Sequence, residues 1–194
     1  MVILGITGGI GSGKSYISSL LREQMDVPVY DCDAEAKRLI CGDEEIRQKL
    51  TELTGAPIYK EGKLQKKVLA DYLFAKQQHV QKVNAIVHPA VRRDIGKWVE
   101  QQDSEVVAVE SAILYESGFD TLVDKVIFVN APMELRIQRA MKRDGSTREQ
   151  IQARISMQQS EQQLEKADYV IDNGTEGQAD LQAKIGRASC RERV

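Results

Sequence analysis

Cysteine, long apolar runs and an excess of either charge are all missing from this chain, and each absence closes off a class of protein. Cys32, Cys41 and Cys190 are the whole thiol complement of 194 residues, an odd number with no CxxC spacing. A disulfide framework and a zinc site are thereby excluded, and a reducing, cytoplasmic setting is expected. No hydrophobic run approaches the ~20 residues of a membrane-spanning helix. The N-terminus has no basic region of the signal-peptide kind and meets glycine after four residues. Charges nearly balance, 27 basic against 29 acidic for a net of −2, which argues against a nucleic-acid coat while leaving room for local phosphate-binding clusters. Neither nucleic acid nor membrane is expected as a partner, and a monomer is the expected state. The length suits one domain with inserted parts.

What is present is concentrated first in GITGGIGSGKSY, residues 5–16. Gly8, Gly13, Lys14 and Ser15 fall in the GxxxxGK[ST] spacing of a phosphate-binding loop. The flanks fit as well: a short apolar strand over residues 2–6 precedes it, and a helix with Ile17, Leu20 and Leu21 on one face follows. Glycines let successive N–H groups converge on an anion, and the helix N-terminus adds positive potential. Gly9, Gly11, Ser12, Gly13, Lys14, Ser15 and Tyr16 are therefore the candidate nucleotide-binding residues. Lys14 is expected on the outer phosphates and Ser15 on Mg²⁺. The ligand expected here is a nucleoside triphosphate.

Further strands are expected over residues 27–30, 106–109, 126–129 and 169–171, alternating with helices, which implies a parallel sheet covered by helices. At the second strand's end stand Asp31 and Asp33. Either carboxylate can cap the following helix, and one can instead accept a hydroxyl proton or hold Mg²⁺ through water. The third strand ends in Glu110, in a Walker B layout with glutamate for the commoner aspartate, a candidate for orienting the metal. Past the fourth strand, Arg136, Arg139 and Arg143 precede RDGSTREQ. A basic helix, a break at Asp144-Gly145 and a second polar helix suggest a lid that brings arginines onto phosphates.

Between the second and third strands lies an insertion too long for one crossover. Residues 44–54 and 63–99 read as helical, with His88-Pro89 interrupting the pattern and Pro89 opening a new helix. Such an insertion, at the catalytic edge of the sheet, is where an acceptor would bind.

Taken in order, GITGGIGSGKS, DCDAEAKRL, NAIVHPAV, ESAILYESGF, QRAMKRDGSTREQ and ADYVIDNGT resemble the motifs of the bacterial dephospho-CoA kinases over residues 1 to about 184. The resemblance implies a P-loop core over about 1–35, 104–135 and 165–184, a helical acceptor-binding insertion over about 36–103, and a lid over about 136–164. It implies ATP-dependent phosphorylation of the 3′-hydroxyl of dephospho-CoA, with ATP and Mg²⁺ required. Carried over by position, Asp33 becomes the candidate base, Arg139 and Arg143 the lid arginines, and His88 a residue of the acceptor-binding region. Three positions depart from the family pattern. Ala112 replaces a proline, Lys66 stands near a customary arginine, and Tyr16 replaces a threonine. The turn at Ala112 is expected to be less rigid, and Lys66 to lose a bidentate grip while keeping its charge.

Two other readings compete: a kinase of the same architecture acting on a nucleoside monophosphate or small alcohol, and a regulatory nucleotide-binding module. No NKxD or LSGGQ segment supports a GTPase or a transporter-type ATPase. Residues 185–194, IGRASCRERV, break the apolar pattern and match the translation of a sequencing adapter, so they are expected to be a non-native tail.

Overall fold

The computed structural model describes residues 1–156, 158, 160–174 and 189–190. Most of the suspected tail, 185–188 and 191–194, therefore lies outside the described residues. The chain divides into two compact units, one built from residues 1–30 and 102–194, the other from 31–101.

The elements in chain order begin with β1 (Val2–Thr7), α1 (Lys14–Met25), β2 (Val29–Asp31), α2 (Cys32–Gly42) and α3 (Glu44–Thr54). A hairpin of β3 (Tyr59–Lys60) and β4 (Lys63–Leu64) comes next, then α4 (Lys66–Ala75) and α5 (Gln77–Glu100). The chain continues with β5 (Val106–Glu110), a 3₁₀ turn at Phe119–Leu122, β6 (Lys125–Asn130), α6 (Met133–Asp144), α7 (Arg148–Ser156), α8 (Ser160–Lys166), β7 (Tyr169–Asp172) and β8 (Ser189–Cys190). The sheet runs β2-β5-β1-β6-β7-β8. β1 pairs in parallel with both β5 and β6, β6 pairs in parallel with β7, and β8 lies antiparallel at the edge.

The order puts the strand with the glycine loop at the centre, where β-branched and aliphatic side chains are buried on both faces. Ile6, Ala108, Val129 and Ile171 from four strands meet Ile17, Leu20 and Leu21 of α1 in one apolar cluster. Fully burying each of the Val, Leu and Ile side chains here contributes roughly 1.5–3 kcal/mol relative to exposure. A second cluster joins Ile137 and Ala140 of α6 to Ile151 and Ile155 of α7, with Ile10 of the glycine loop packed against it. The helices expected to form a lid are thus seated by apolar contact on the loop itself. Strand ends converge by register: Ile6 pairs with Glu110, and Asn130 with Asp172. That alignment brings the carboxyl ends of β1, β5, β6 and β7 to one edge, where an open α/β sheet binds its ligand.

In the helical unit, α5 is the organising element. Val83, Val87, Ala90, Val91 and Ile95 form its buried stripe. Arg38 of α2 reaches Asp94 at 2.6 Å, and Tyr59 of the hairpin donates to the Ile40 carbonyl at 2.7 Å. Two expectations fail here. Residues 63–64 form a strand, and the helix does not break at Pro89, which lies inside α5. The break falls instead at Lys76, whose extended backbone separates α4 from α5. Pro89 and Ala85 are both solvent-exposed, so the carbonyl left without its helical N–H partner can turn to water. The buried stripe on the opposite face continues unbroken past it. Among the described residues, no helix is long and apolar enough to cross a membrane.

Candidate active site

The glycine loop is shaped by backbone conformations closed to other residues. Gly11 and Gly13 have φ of 74° and 95°. A Cβ on Gly11 would stand 2.1 Å from the Arg136 carbonyl oxygen, and one on Gly13 would stand 2.2 Å from the Asn173 amide nitrogen. Gly13 is the N-cap of α1, and its carbonyl accepts the first helical bond from Ile17 N at 3.1 Å. The first-turn amides of α1 therefore open onto the loop, where they and the helix dipole favour an anion. Lys14 is folded over the loop, its Nζ donating to the carbonyls of Gly8 at 3.0 Å and Gly9 at 3.4 Å.

At the metal position the two expected residues meet directly. Ser15 Oγ donates to Glu110 Oε1 at 2.8 Å, and Glu110 is only 6% exposed at the end of β5. A hydroxyl and a carboxylate are hard oxygen donors, the chemistry that suits Mg²⁺. Among the described residues, no group of three or more His, Cys, Asp or Glu side chains is placed to hold a metal ion. The pair thus fits an ion that takes its remaining ligands from water and phosphate oxygens. Tyr16 turns a partly exposed side chain outward, and its carbonyl accepts from Ser19 Oγ at 2.8 Å.

The arginines separate. Arg139 Nη1 reaches the carbonyls of Asn173, 3.1 Å, and Ser12, 3.5 Å, which places it on the rim of the loop. Arg143 is instead exposed and paired with its neighbour Asp144 through two contacts, at 2.7 and 3.1 Å. Arg154 of α7 adds a third bond to Asp144 at 3.1 Å. Arg143 and Arg154 hold the Asp144 carboxyl below its usual range, so the α6–α7 turn carries a closed ionic cluster.

Several residues at the loop had no sequence signal. Gln158 Oε1 accepts from Ile10 N at 2.8 Å. Buried Gln163 accepts from the Thr7 hydroxyl at 3.3 Å and donates to Glu116 at 2.6 Å. Asn173 Nδ2 donates to the Ser12 carbonyl at 2.9 Å. Arg136, expected only as one arginine of a basic lid helix, is 7% exposed and donates from Nε to the Ile10 carbonyl at 3.0 Å. These contacts join positions up to 161 residues apart, so neither spacing nor periodicity could have shown them. In the segment after β5, Ser111 Oγ accepts from Ile113 N at 3.2 Å across Ala112. A side-chain turn thus braces the backbone where the family pattern has proline.

The remaining candidates belong to the helical unit. Asp31 is the N-cap of α2, its Oδ1 accepting from Asp33 N and Ala34 N at 3.0 Å each. The capping role open to either aspartate therefore goes to Asp31, and the Asp33 carboxylate stays on the exposed first turn of α2. His88 is half-buried on α5, and desolvation pushes its pKa below the usual imidazole value. Lys66 opens α4, exposed.

The family model described as dephospho-CoA kinase matches residues 2–179. A dephospho-CoA kinase of Bacteroides fragilis is 47% identical over 175 residues, covering 89% of this chain and 85% of that protein. A Thermus thermophilus crystal structure superposes with a TM-score of 0.78 at 33% identity, over 90% of each chain. A dephospho-CoA kinase from Campylobacter jejuni superposes with a TM-score of 0.69 at 26% identity, over 95% of this chain and 94% of that one.

Proposed function

Because this chain belongs to the dephospho-CoA kinase family, we propose that it transfers the γ-phosphoryl group of ATP to the 3′-hydroxyl of dephospho-CoA, giving coenzyme A and ADP. One observation carries the phosphoryl-transfer reading: the Ser15–Glu110 bond at the mouth of a glycine loop that already has Lys14 folded over it. The dephospho-CoA reading of the acceptor is supported by the relatives.

In this reading the loop amides and Lys14 hold the β- and γ-phosphates. Ser15, with Glu110 behind it, holds Mg²⁺, which when bound neutralises phosphate charge. Asp33 orients the 3′-hydroxyl and accepts its proton late, as the hydroxyl oxygen bonds to the γ-phosphorus. The bond from that phosphorus to the bridging oxygen breaks, and ADP leaves with the electron pair. Arg139 stabilises charge at the rim of the loop, and Arg143 joins it once released from Asp144. Tyr16 frames the nucleotide beside Ser15. His88, kept neutral by burial, contributes to the acceptor side.

Incubation with ATP, Mg²⁺ and dephospho-CoA tests the regiochemistry. The product should carry one added phosphoryl group and revert to dephospho-CoA under a 3′-nucleotidase. A phosphorylated product that the nucleotidase leaves intact would place the transfer at another atom.

A further inference from the structure

We propose that Arg136 is a positioning residue of the triphosphate site, a buried positive charge with no counter-ion among the described residues, which sets the loop's affinity for a polyphosphate anion. The inference rests on reading the loop as a triphosphate site and adds to it a residue that the motif does not contain.

Arg136 is 7% exposed, and among the described residues its hydrogen bond runs from Nε to the Ile10 carbonyl. Its Nη2 is buried and has no hydrogen-bond partner. Burial pushes its pKa down, and no carboxylate among the described residues acts on it in the opposite direction. The other arginines of this region are satisfied: Arg148 by Glu134 at 2.6 and 2.7 Å, Arg143 and Arg154 by Asp144, and Arg139 by two carbonyls. Arg136 remains charged despite burial, because guanidinium does not lose its proton in proteins.

Its place in the fold gives that charge a direction. A Cβ on Gly9 would stand 1.9 Å from Arg136 Nη2, so the guanidinium lies close against the loop backbone at that glycine. On the same loop the Ser12 hydroxyl is also fully buried and without a partner. Ser12 on the loop and Arg136 against it thus each leave a buried polar atom without a hydrogen-bond partner among the described residues. An isolated buried charge is among the costliest arrangements a fold can hold. In a low-dielectric setting, the same charge strongly favours an anion arriving on the loop. A neutral side chain of equal length would fill the space beside Gly9 without the cost and without the attraction.

The test is calorimetric titration of inorganic tripolyphosphate into wild type, Arg136→Lys, Arg136→Gln and Arg136→Met, with the melting temperature of each free protein. The neutral variants should melt at or above the wild-type temperature and bind tripolyphosphate at least about tenfold more weakly. The lysine variant should recover most of the affinity, because it keeps the charge. Equal affinity of the Gln and Lys variants would overturn the proposal, since charge would then play no part. So would failure of both neutral variants to fold, because Arg136 would then be a structural brace. If folded wild type binds neither tripolyphosphate nor ATP, the triphosphate reading of the loop itself falls.

Discussion

Ser15 and Glu110 are joined by a 2.8 Å hydrogen bond although 95 residues separate them. Parallel pairing of β1 with β5, in which Ile6 lies opposite Glu110, sets the acid beside the first turn of α1. The bond fixes the hydroxyl's direction before any ligand arrives, the kind of support from behind that tunes a metal ligand. Glu110→Gln keeps a hydrogen-bond acceptor and removes the charge. The Mg²⁺ concentration for half-maximal rate should rise about tenfold or more. Metal-free ATP affinity should be unchanged or slightly higher. Magnesium titration of the rate, with calorimetry in chelator, checks both.

Asp33 is freed for chemistry by its neighbour. Asp31 supplies the helix cap, so Asp33→Asn should leave α2 and the fold intact. As a base, Asp33 should be worth about 10²- to 10⁴-fold in kcat, with little change in the Kd for ATP. Single-turnover kinetics beside ATP calorimetry measures the split. Equal losses in both would remove Asp33 from the role.

Arg139 and Arg143 sit in different environments, so their variants should differ in kind. Arg139 already bonds the loop at the Ser12 carbonyl, and Arg139→Met should weaken ATP binding and lower kcat together. Arg143 is paired with Asp144, and Arg143→Met should lower kcat by about tenfold or more with ATP affinity nearly intact. Steady-state kcat and KM with a binding isotherm for each variant decide this.

His88 carries a pH signature. Its folded pKa lies below the unfolded value of ~6.5, because burial disfavours the imidazolium. Between those two values the unfolded chain binds more protons, so stability falls as pH drops below about 6.5 and the loss is complete below the folded pKa. Glu134 and Asp144, both held low by arginines, titrate below the window between pH 7.5 and 5.5, and the difference between proteins isolates His88. Urea denaturation of wild type and His88→Gln at pH 7.5 and pH 5.5 should show a smaller acid loss in the variant.

The glycine loop was legible because its chemistry is contiguous: twelve consecutive residues carry the glycines, the lysine and the hydroxyl. Glu110 was legible for a similar reason, standing at the end of an unbroken apolar strand. Asn173, Gln158 and Gln163 were not, and of Arg136 only its place on a basic helix was. Each reaches the β1–loop segment only through tertiary packing, and in the sequence they look like ordinary surface polar residues. The choice between Asp31 and Asp33 as cap needed the geometry, since both residue types favour a helix start. Pro89 misled because proline usually breaks a helix; here the exposed face of α5 leaves the orphaned carbonyl open to water.

The most direct test of the kinase reading is ADP release with ATP·Mg²⁺ across a panel of dephospho-CoA, adenosine, AMP, CMP, shikimate and no acceptor. Dephospho-CoA alone should stimulate release strongly, with coenzyme A appearing in equal amount. Stimulation by another acceptor, or an acceptor-independent rate in folded, ATP-binding protein, would contradict it.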